Sequence, residues 1–169
     1  GFAATSPRTS DIWEWHTGDG WTQVPGSEDI GPNGIEVSPD GQWFLVAGYA
    51  SQSVIRLSRG QTPVQIDRVG VGFNIDNVHW APDGTLLAAG HSAPTRGRVG
   101  ECIARRTCEG IVSHVARVDT ETMTARSIFR YPTNSALILG TTAIEVDKEL
   151  WVGQVAGGTR IARVPLPTQ

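Results

Sequence analysis

Two residues with oxygen-bearing side chains occupy equivalent positions in a repeated pattern of this sequence. Asn33 lies six residues before the turn-forming triplet Pro39-Asp40-Gly41, and Asp76 lies six residues before Pro82-Asp83-Gly84. Carboxylate and amide oxygens are the ligands that calcium prefers, and the ion takes about six to eight of them. Because both residues stand just before a predicted strand, we expect their side chains to point toward one opening. They therefore predict part of a calcium site.

Such a site would support the hydrolysis of a carbonyl compound. A bound calcium ion polarises a carbonyl oxygen and stabilises the oxyanion that forms when water attacks. Asp76 is the candidate catalytic group because its carboxylate could accept a proton from that water, although a bound cation weakens a carboxylate as a base. A plainer interpretation stays open, in which Asn33 forms a turn with Gly34 and the pair Asp76-Asn77 caps strand ends.

The other candidates for catalysis are histidines and one serine. His91 follows an apolar strand and begins a polar insertion, where contact with a substrate and a surface position both fit. His79, on a predicted inner strand, is interpreted as a packed, hydrogen-bonded histidine. Ser113 and His114 are neighbours in a predicted strand and point to opposite faces, so they form no dyad. The sequence has neither a Gly-x-Ser-x-Gly elbow nor a P-loop.

Cys102 and Cys108 are the only cysteines, and they lie in a polar stretch that is predicted to be a loop. A disulfide between them would suit a secreted or periplasmic protein, whereas two reduced thiols would suit the cytosol. We favour the disulfide because exposed free thiols are a liability. A zinc site is not expected, since neither a Cys-x-x-Cys pair nor spaced histidines accompany the two cysteines.

The elements that must position these residues are short strands joined by tight turns. The two Pro-Asp-Gly triplets are 43 residues apart, with four predicted strands per copy, and a third copy at 140–153 has the turn Asp147-Lys148. A period in the low forties with four short strands is typical of a β-propeller blade. The sequence thus predicts an all-β fold, a β-propeller of about three and a half four-stranded blades. Five tryptophans are expected to fill the wedges between blades, namely Trp13, Trp15, Trp43, Trp80 and Trp151.

We interpret residues 1–169 as one partial propeller domain with four parts. They are an incomplete blade at 1–30 that begins with an extended segment at 2–5, a blade at 31–72, a blade at 73–131 with an insertion at 91–110, and an incomplete last blade at 132–169. Open sheet edges and apolar sheet faces would be exposed in such a fragment. We therefore expect complementary blades from a longer polypeptide, a second chain or another copy.

Composition and charge narrow the range of partners. The chain has 20 glycines and 10 prolines in 169 residues, a net charge of −3 and a pI near 5.8. It offers no broad cationic surface for phosphate backbones, so we do not expect nucleic acid as a partner. No apolar run approaches the roughly 20 residues that cross a bilayer, and we expect neither a membrane span nor a signal peptide in this sequence.

Three stretches carry a resemblance to a known family. They are the motif Gly-Pro-Asn-Gly-Ile-Glu-Val-Ser-Pro-Asp-Gly at 31–41, the Ile-Asp-Asn-Val segment at 75–78 with the strand that leads to His91, and the closing pattern at 140–164. Together they resemble the later half of the superfamily of paraoxonases, senescence-marker proteins and gluconolactonases. The similarity covers nearly all of the chain apart from the cysteine segment.

The resemblance implies a six-bladed ring with a calcium ion near the middle of its channel, and the hydrolysis of lactones, aryl esters or organophosphates. Asn33 and Asp76 match calcium ligands of the family, Asn77 matches a further ligand of the paraoxonase branch, and His91 matches a histidine near the pocket. The family's glutamate ligand, its other asparagine and the proposed catalytic histidine of paraoxonases belong to earlier blades and have no counterpart here.

Two other functions are compatible with the same architecture. Many propellers keep the fold and lose the chemistry, so a non-catalytic binding scaffold is one alternative. The other is a propeller similar to strictosidine synthase, a branch that works without this metal and normally lacks a ligand at the position of Asp76.

Overall fold

The structure, a computed structural model, describes residues 10–28, 30–106, 108–156 and 159–166. The extended segment expected at 2–5 lies outside them. The strands are β1 Trp13–His16, β2 Gly20–Gln23, β3 Pro32–Val37, β4 Trp43–Gly48, β5 Ser53–Ser58, β6 Ile66–Gly70, β7 Asn74–Trp80, β8 Leu86–Ser92, β9 Val112–Asp119, β10 Thr124–Pro132, β11 Gly140–Val146, β12 Glu149–Gln154 and β13 Ala162–Pro165, and the helix is α1 Arg96–Arg105.

The strands form four antiparallel sheets in chain order. The first sheet is β1–β2, the second β3–β4–β5–β6, the third β7–β8–β9–β10 and the fourth β11–β12–β13. Glycine in the Pro-Asp-Gly turns takes a positive φ, 73° at Gly41 and 81° at Gly84, a conformation that glycine adopts without steric cost. Asp147 and Lys148 form a two-residue turn with both φ angles positive, the type that joins closely paired strands.

The sheets are arranged around a common axis. Their first strands are neighbours, since β3 lies beside β7 and β7 lies beside β11. Each sheet then extends outward in chain order. The chain is therefore a partial β-propeller, which confirms the predicted fold class.

The core lies between consecutive sheets. Leu45 and Ala47 pack against the third sheet, while Phe44 and Val46 on the same strand pack against Ile12 and its neighbours around the first sheet. Because alternate residues of β4 face different sheets, every residue from 44 to 48 is buried. A third cluster joins the third and fourth sheets.

The tryptophans divide into two groups. Trp43 and Trp80 are partly buried against the cluster between the second and third sheets, as expected. Trp13 and Trp15 are 53% and 55% exposed, so their packing between blades stays a prediction. They share the outer face of the first sheet with Trp21, and no described sheet covers that face.

The insertion predicted at 91–110 is not a loop. Strand β8 continues to Ser92, and helix α1 follows, with Cys102 in its last turns bonded to Cys108 in a disulfide. Val99, Cys102 and Ile103 follow helical spacing, but Gly97 and Gly100 are poor helix formers and obscure the pattern. Both cysteines pack with Ile111, Leu139 and Ala156, which anchors the helix.

The disulfide fits a protein of an oxidising compartment. Within the described residues, no helix combines the length and the hydropathy needed to cross a membrane.

Candidate functional site

Each of the three inner strands carries a β-bulge near its first residues. The register shifts between Pro32 and Ile35 in β3, between Ile75 and Asn77 in β7, and between Gly140 and Thr142 in β11. A bulge inserts an extra residue and redirects its side chain. The candidate ligands therefore do not precede their strands, as the sequence suggested, but lie inside them at the bulges.

The bulges bring Asn33 and Asp76 together. The Nδ2 atom of Asn33 donates a hydrogen bond of 2.7 Å to Oδ1 of Asp76. Gly34 permits this approach, because a Cβ atom there would lie 2.7 Å from both the Cα atom of Asn77 and the backbone oxygen of Asp76. The two strands could not come so close with a larger residue at this point.

His91 lies on the other side of Asp76. It belongs to β8 rather than to the insertion, and its side chain is only 2% exposed. Its Nδ1 atom is 3.3 Å from Oδ2 of Asp76, a close contact whose geometry is not that of a hydrogen bond. Its Nε2 atom is 2.9 Å from the hydroxyl of Tyr49. The order of groups is thus Tyr49, His91, Asp76 and Asn33.

Tyr49 was not among the candidates from the sequence. It directly follows β4 and has no motif around it, so only the packing of neighbouring sheets places it near His91. Burial raises the pKa of the Tyr49 hydroxyl, and the negative charge of Asp76 raises it further. Tyr49 therefore remains protonated near neutral pH and available as a hydrogen-bond donor.

Asn77 and His79 tie the inner strands together. The Nδ2 atom of Asn77 donates to the backbone oxygen of Thr141 at 2.9 Å, which leaves the side-chain oxygen of Asn77 available. His79 places Nδ1 3.2 Å from Glu36 and Nε2 2.9 Å from Thr142. His79 therefore bridges three sheets, in agreement with its interpretation as a hydrogen-bonded histidine.

A cavity of about 360 Å³ is lined by three of the candidate residues, namely Asp76, Asn77 and His91. Its polar floor is formed by Tyr49, Asp76, Asn77, His91 and Thr141. Its apolar wall is formed by Val99, Ile103, Leu139 and Val155. A mostly apolar cavity with a few convergent polar groups is the usual form of a small-molecule site.

A larger cavity of about 640 Å³ lies at the opposite end of the strands, between the hairpin turns. Two of its carboxylates already have hydrogen-bond partners in the protein. Asp40 accepts a bond from the backbone of Gln42, and Asp83 accepts one from Arg117. It contains neither Asp76 nor His91. The smaller cavity is therefore the better candidate for chemistry.

The donor set at the bulges suits calcium better than zinc. No three His, Cys, Asp or Glu side chains converge in the part of the chain that the structure describes, so Asp76 would be joined by amide oxygens. Calcium binds such oxygens at about 2.3–2.6 Å, and oxygens roughly 3 Å apart can share one ion. The 2.7 Å separation meets that condition once the Asn33 amide is turned to present its oxygen. The side chains of Asn33 and Asp76 thus have the donor types and the separation that part of a calcium shell requires.

No family model matches the sequence. No curated protein matches it either. Several solved structures share the fold. A streptogramin B lyase has a TM-score of 0.55 at 15% identity over 94% of this chain and 48% of its own. A gluconolactonase from Xanthomonas campestris has a TM-score of 0.55 at 17% identity, over 93% of this chain and 44% of its own.

Regucalcin from Agrobacterium tumefaciens, described as a calcium-binding protein, has a TM-score of 0.51 at 19% identity, over 84% of this chain and 43% of its own. The chain thus spans about half the length of the structures it matches. At these identities the similarity shows the fold alone.

Proposed function

We propose that this chain belongs to a calcium-dependent hydrolase of lactones or aryl esters, of which it supplies the later blades and part of the metal site. The observation that carries the proposal is the contact of Asn33 with Asp76, whose carboxylate lines a cavity together with His91. A gluconolactonase and a calcium-binding protein share the fold, which supports the same direction.

Asn33 and the residues of the cavity floor have distinct roles in this proposal. Asn33, Asp76 and Asn77 provide oxygens for calcium, which when bound would polarise the carbonyl group of the substrate. Asp76 is also the catalytic group, because a carboxylate in contact with the cavity can accept a proton from water. His91 lines the substrate cavity, and its contacts with Tyr49 and Asp76 hold the carboxylate in place.

Further parts of the proposal concern the whole protein. We propose a six-bladed ring, divided in this chain at 1–30, 31–72, 73–131 and 132–169, in which complementary blades supply the remaining calcium ligands. Their source is the remainder of the polypeptide, a second chain or another copy. The disulfide supports a secreted or periplasmic location, and the substrate is a small molecule of the size of the cavity.

The test is hydrolysis of an aryl acetate and of a simple lactone by the complete protein, with calcium and with a chelator. We expect Asp76→Asn and the chelator each to lower kcat/KM by at least about a hundredfold. Asp19→Asn, at an exposed turn, is the matched control and should leave the rate unchanged.

The same experiment separates the alternatives. Turnover that persists in chelator would favour the metal-independent propeller similar to strictosidine synthase. A protein that binds no calcium and cleaves neither substrate would be a binding scaffold. A lactone cleaved in water enriched in oxygen-18 distinguishes hydrolysis from elimination by a lyase. Hydrolysis places the label in the carboxylate of the product, whereas elimination gives an unsaturated acid whose carboxylate is unlabelled.

A further inference from the structure

We infer that helix α1 determines specificity at this site, and that Val99 and Ile103 hold an alkyl substituent of the substrate. The inference rests on the proposed function for the kind of reaction, whereas the binding surface is argued from the cavity itself. It concerns the apolar wall of the cavity, defined above by Val99, Ile103, Leu139 and Val155.

The wall and the floor differ sharply in chemistry. All polar groups that line the cavity belong to the floor, around Asp76, whereas the wall contains only aliphatic side chains. Ile103 is 50% exposed and Val155 is 56% exposed, although both are large apolar residues. Exposed aliphatic side chains beside polar floor groups are typical of a ligand site.

The wall is held rigidly by the insertion that carries it. Cys102 is fully buried next to Ile103, and its disulfide to Cys108 joins the helix to the segment that leads into β9. The helix ends at Arg106, whose backbone amide donates to the oxygen of Cys102 at 2.9 Å. The partly buried Val99 and the exposed Ile103, both on an anchored helix, thus form a pre-organised surface rather than a mobile one.

This surface selects among lactones and esters. A sugar lactone carries several hydroxyl groups, and the wall offers no partner for them, so each hydroxyl that turned toward Val99 or Ile103 would lose its hydrogen bonds to water. An alkyl chain would instead bury its methylene groups there. The geometry therefore points to a lactone or ester with an alkyl chain on the carbon that bears the ring or ester oxygen.

The test uses γ-lactones that carry alkyl chains from methyl to heptyl beside the ring oxygen, compared with an aldonolactone. We expect kcat/KM to rise about fourfold per added methylene until the wall is covered, and the aldonolactone to be the poorest substrate. Ile103→Ala and Val155→Thr should flatten this series. Ile66→Ala, at another exposed isoleucine, on the outer strand β6, should not.

Binding of the matching γ-lactams, measured by calorimetry, separates this inference from the proposed function. Affinity that rises with chain length and falls in Ile103→Ala supports the wall even if no lactone is hydrolysed, an outcome that would overturn only the hydrolase. The inference about the wall would be wrong if lactone turnover and lactam affinity did not depend on chain length. It would also be wrong if Ile103→Ala and Val155→Thr left both quantities unchanged. Val155→Thr lies outside the helix and keeps the test valid if Ile103→Ala perturbs folding.

Discussion

At the scale of single residues, the floor of the cavity contains one carboxylate, that of Asp76. Asp76 accepts a hydrogen bond from the amide of Asn33 and faces the imidazole of His91, which in turn meets the hydroxyl of Tyr49. The raised pKa of Tyr49 keeps that hydroxyl protonated. Asp76 is therefore the one carboxylate among the described residues that line the cavity.

A second histidine predicts how stability depends on pH. His114 stacks on Phe73 with ring centroids 4.9 Å apart, and its Nε2 atom is 2.9 Å from the hydroxyl of Ser92. Burial lowers the pKa of His114, and the charge of Arg130 lowers it further. The unfolded chain takes up a proton at His114 near pH 6.5, whereas the folded chain does so only at lower pH. The free energy of unfolding should therefore fall as the pH drops below about 6.5.

The variant His114→Gln should lose less stability than the wild type between neutral pH and about pH 5, as measured by denaturant unfolding. His16→Gln is the control, because His16 lies at the end of an exposed strand. Equal losses in the wild type and in His114→Gln would contradict the prediction.

The proximity of two candidate residues was predictable because the repeat fixed their register. Asn33 and Asp76 stand out because they are oxygen donors at the same point of two copies, and the structure places them in contact. Tyr49 and Thr141 gave no such signal, since a tyrosine after a strand and a threonine within one are ordinary. Their place at the site depends on packing between sheets that local sequence does not encode.

At the scale of elements, the close approach of β3 and β7 depends on Gly34. A Cβ atom at Gly34 would meet backbone atoms of the neighbouring strand, which cannot move aside as a side chain could. We expect Gly34→Ala to lower the free energy of unfolding by about 1–3 kcal/mol. It should also weaken calcium binding, because it separates Asn33 from Asp76.

Gly70→Ala is the matched control. Gly70 is likewise a strand residue, the last of β6, its φ is not positive, and an added Cβ atom would meet nothing within 4 Å. Denaturant unfolding and calcium titration of both variants check the prediction. A Gly34→Ala protein with the stability and calcium affinity of the Gly70→Ala protein would show that the close approach is not required.

Elements were predictable where turn chemistry was explicit. The Pro-Asp-Gly triplets and the Asp147-Lys148 turn identified the hairpins, because few residues adopt those backbone angles. Helix α1 was missed, since its two glycines disfavour a helix and its anchoring contacts come from distant residues such as Leu139 and Ala156. The bulges were missed because no residue type marks them.

At the scale of the whole molecule, the first sheet has one open apolar face. The residues that flank its strands, Ile12 and Val24, pack toward the second sheet. On the open face, Trp15 pairs directly with Trp21, which is 67% exposed, and Trp13 continues the same surface. Three tryptophans on one sheet face are suited to packing against another propeller sheet, as the proposed complementary blades would provide.

We expect Trp15→Asp to destabilise the complete protein by about 2 kcal/mol or more, because it removes one large apolar side chain from that contact and adds a charge. Thermal unfolding measures the effect. Thr17→Asp, in the turn of the same hairpin, introduces the same charge away from the tryptophans and should be nearly neutral. Identical melting temperatures for the two variants would mean that the face stays exposed to water.

The partial propeller was predictable because two four-stranded copies 43 residues apart are typical of propeller blades, which stack on one another. The exposed position of Trp13 and Trp15 did not follow. Alternation shows which residues share a face, and contacts beyond the sheet decide whether that face is covered.

The repeated bulge has a consequence for how this architecture diversifies. A bulge is a local change in backbone pairing, so its form does not depend on the side chain that it carries. The three bulges of this chain carry an amide at Asn33, a carboxylate at Asp76 and a hydroxyl at Thr141, and Asp76 and Thr141 line the cavity. A point mutation at any of these positions changes the functional groups near the axis and leaves the pairing of the strands intact. Lineages can thus exchange one reaction for another without rebuilding the scaffold.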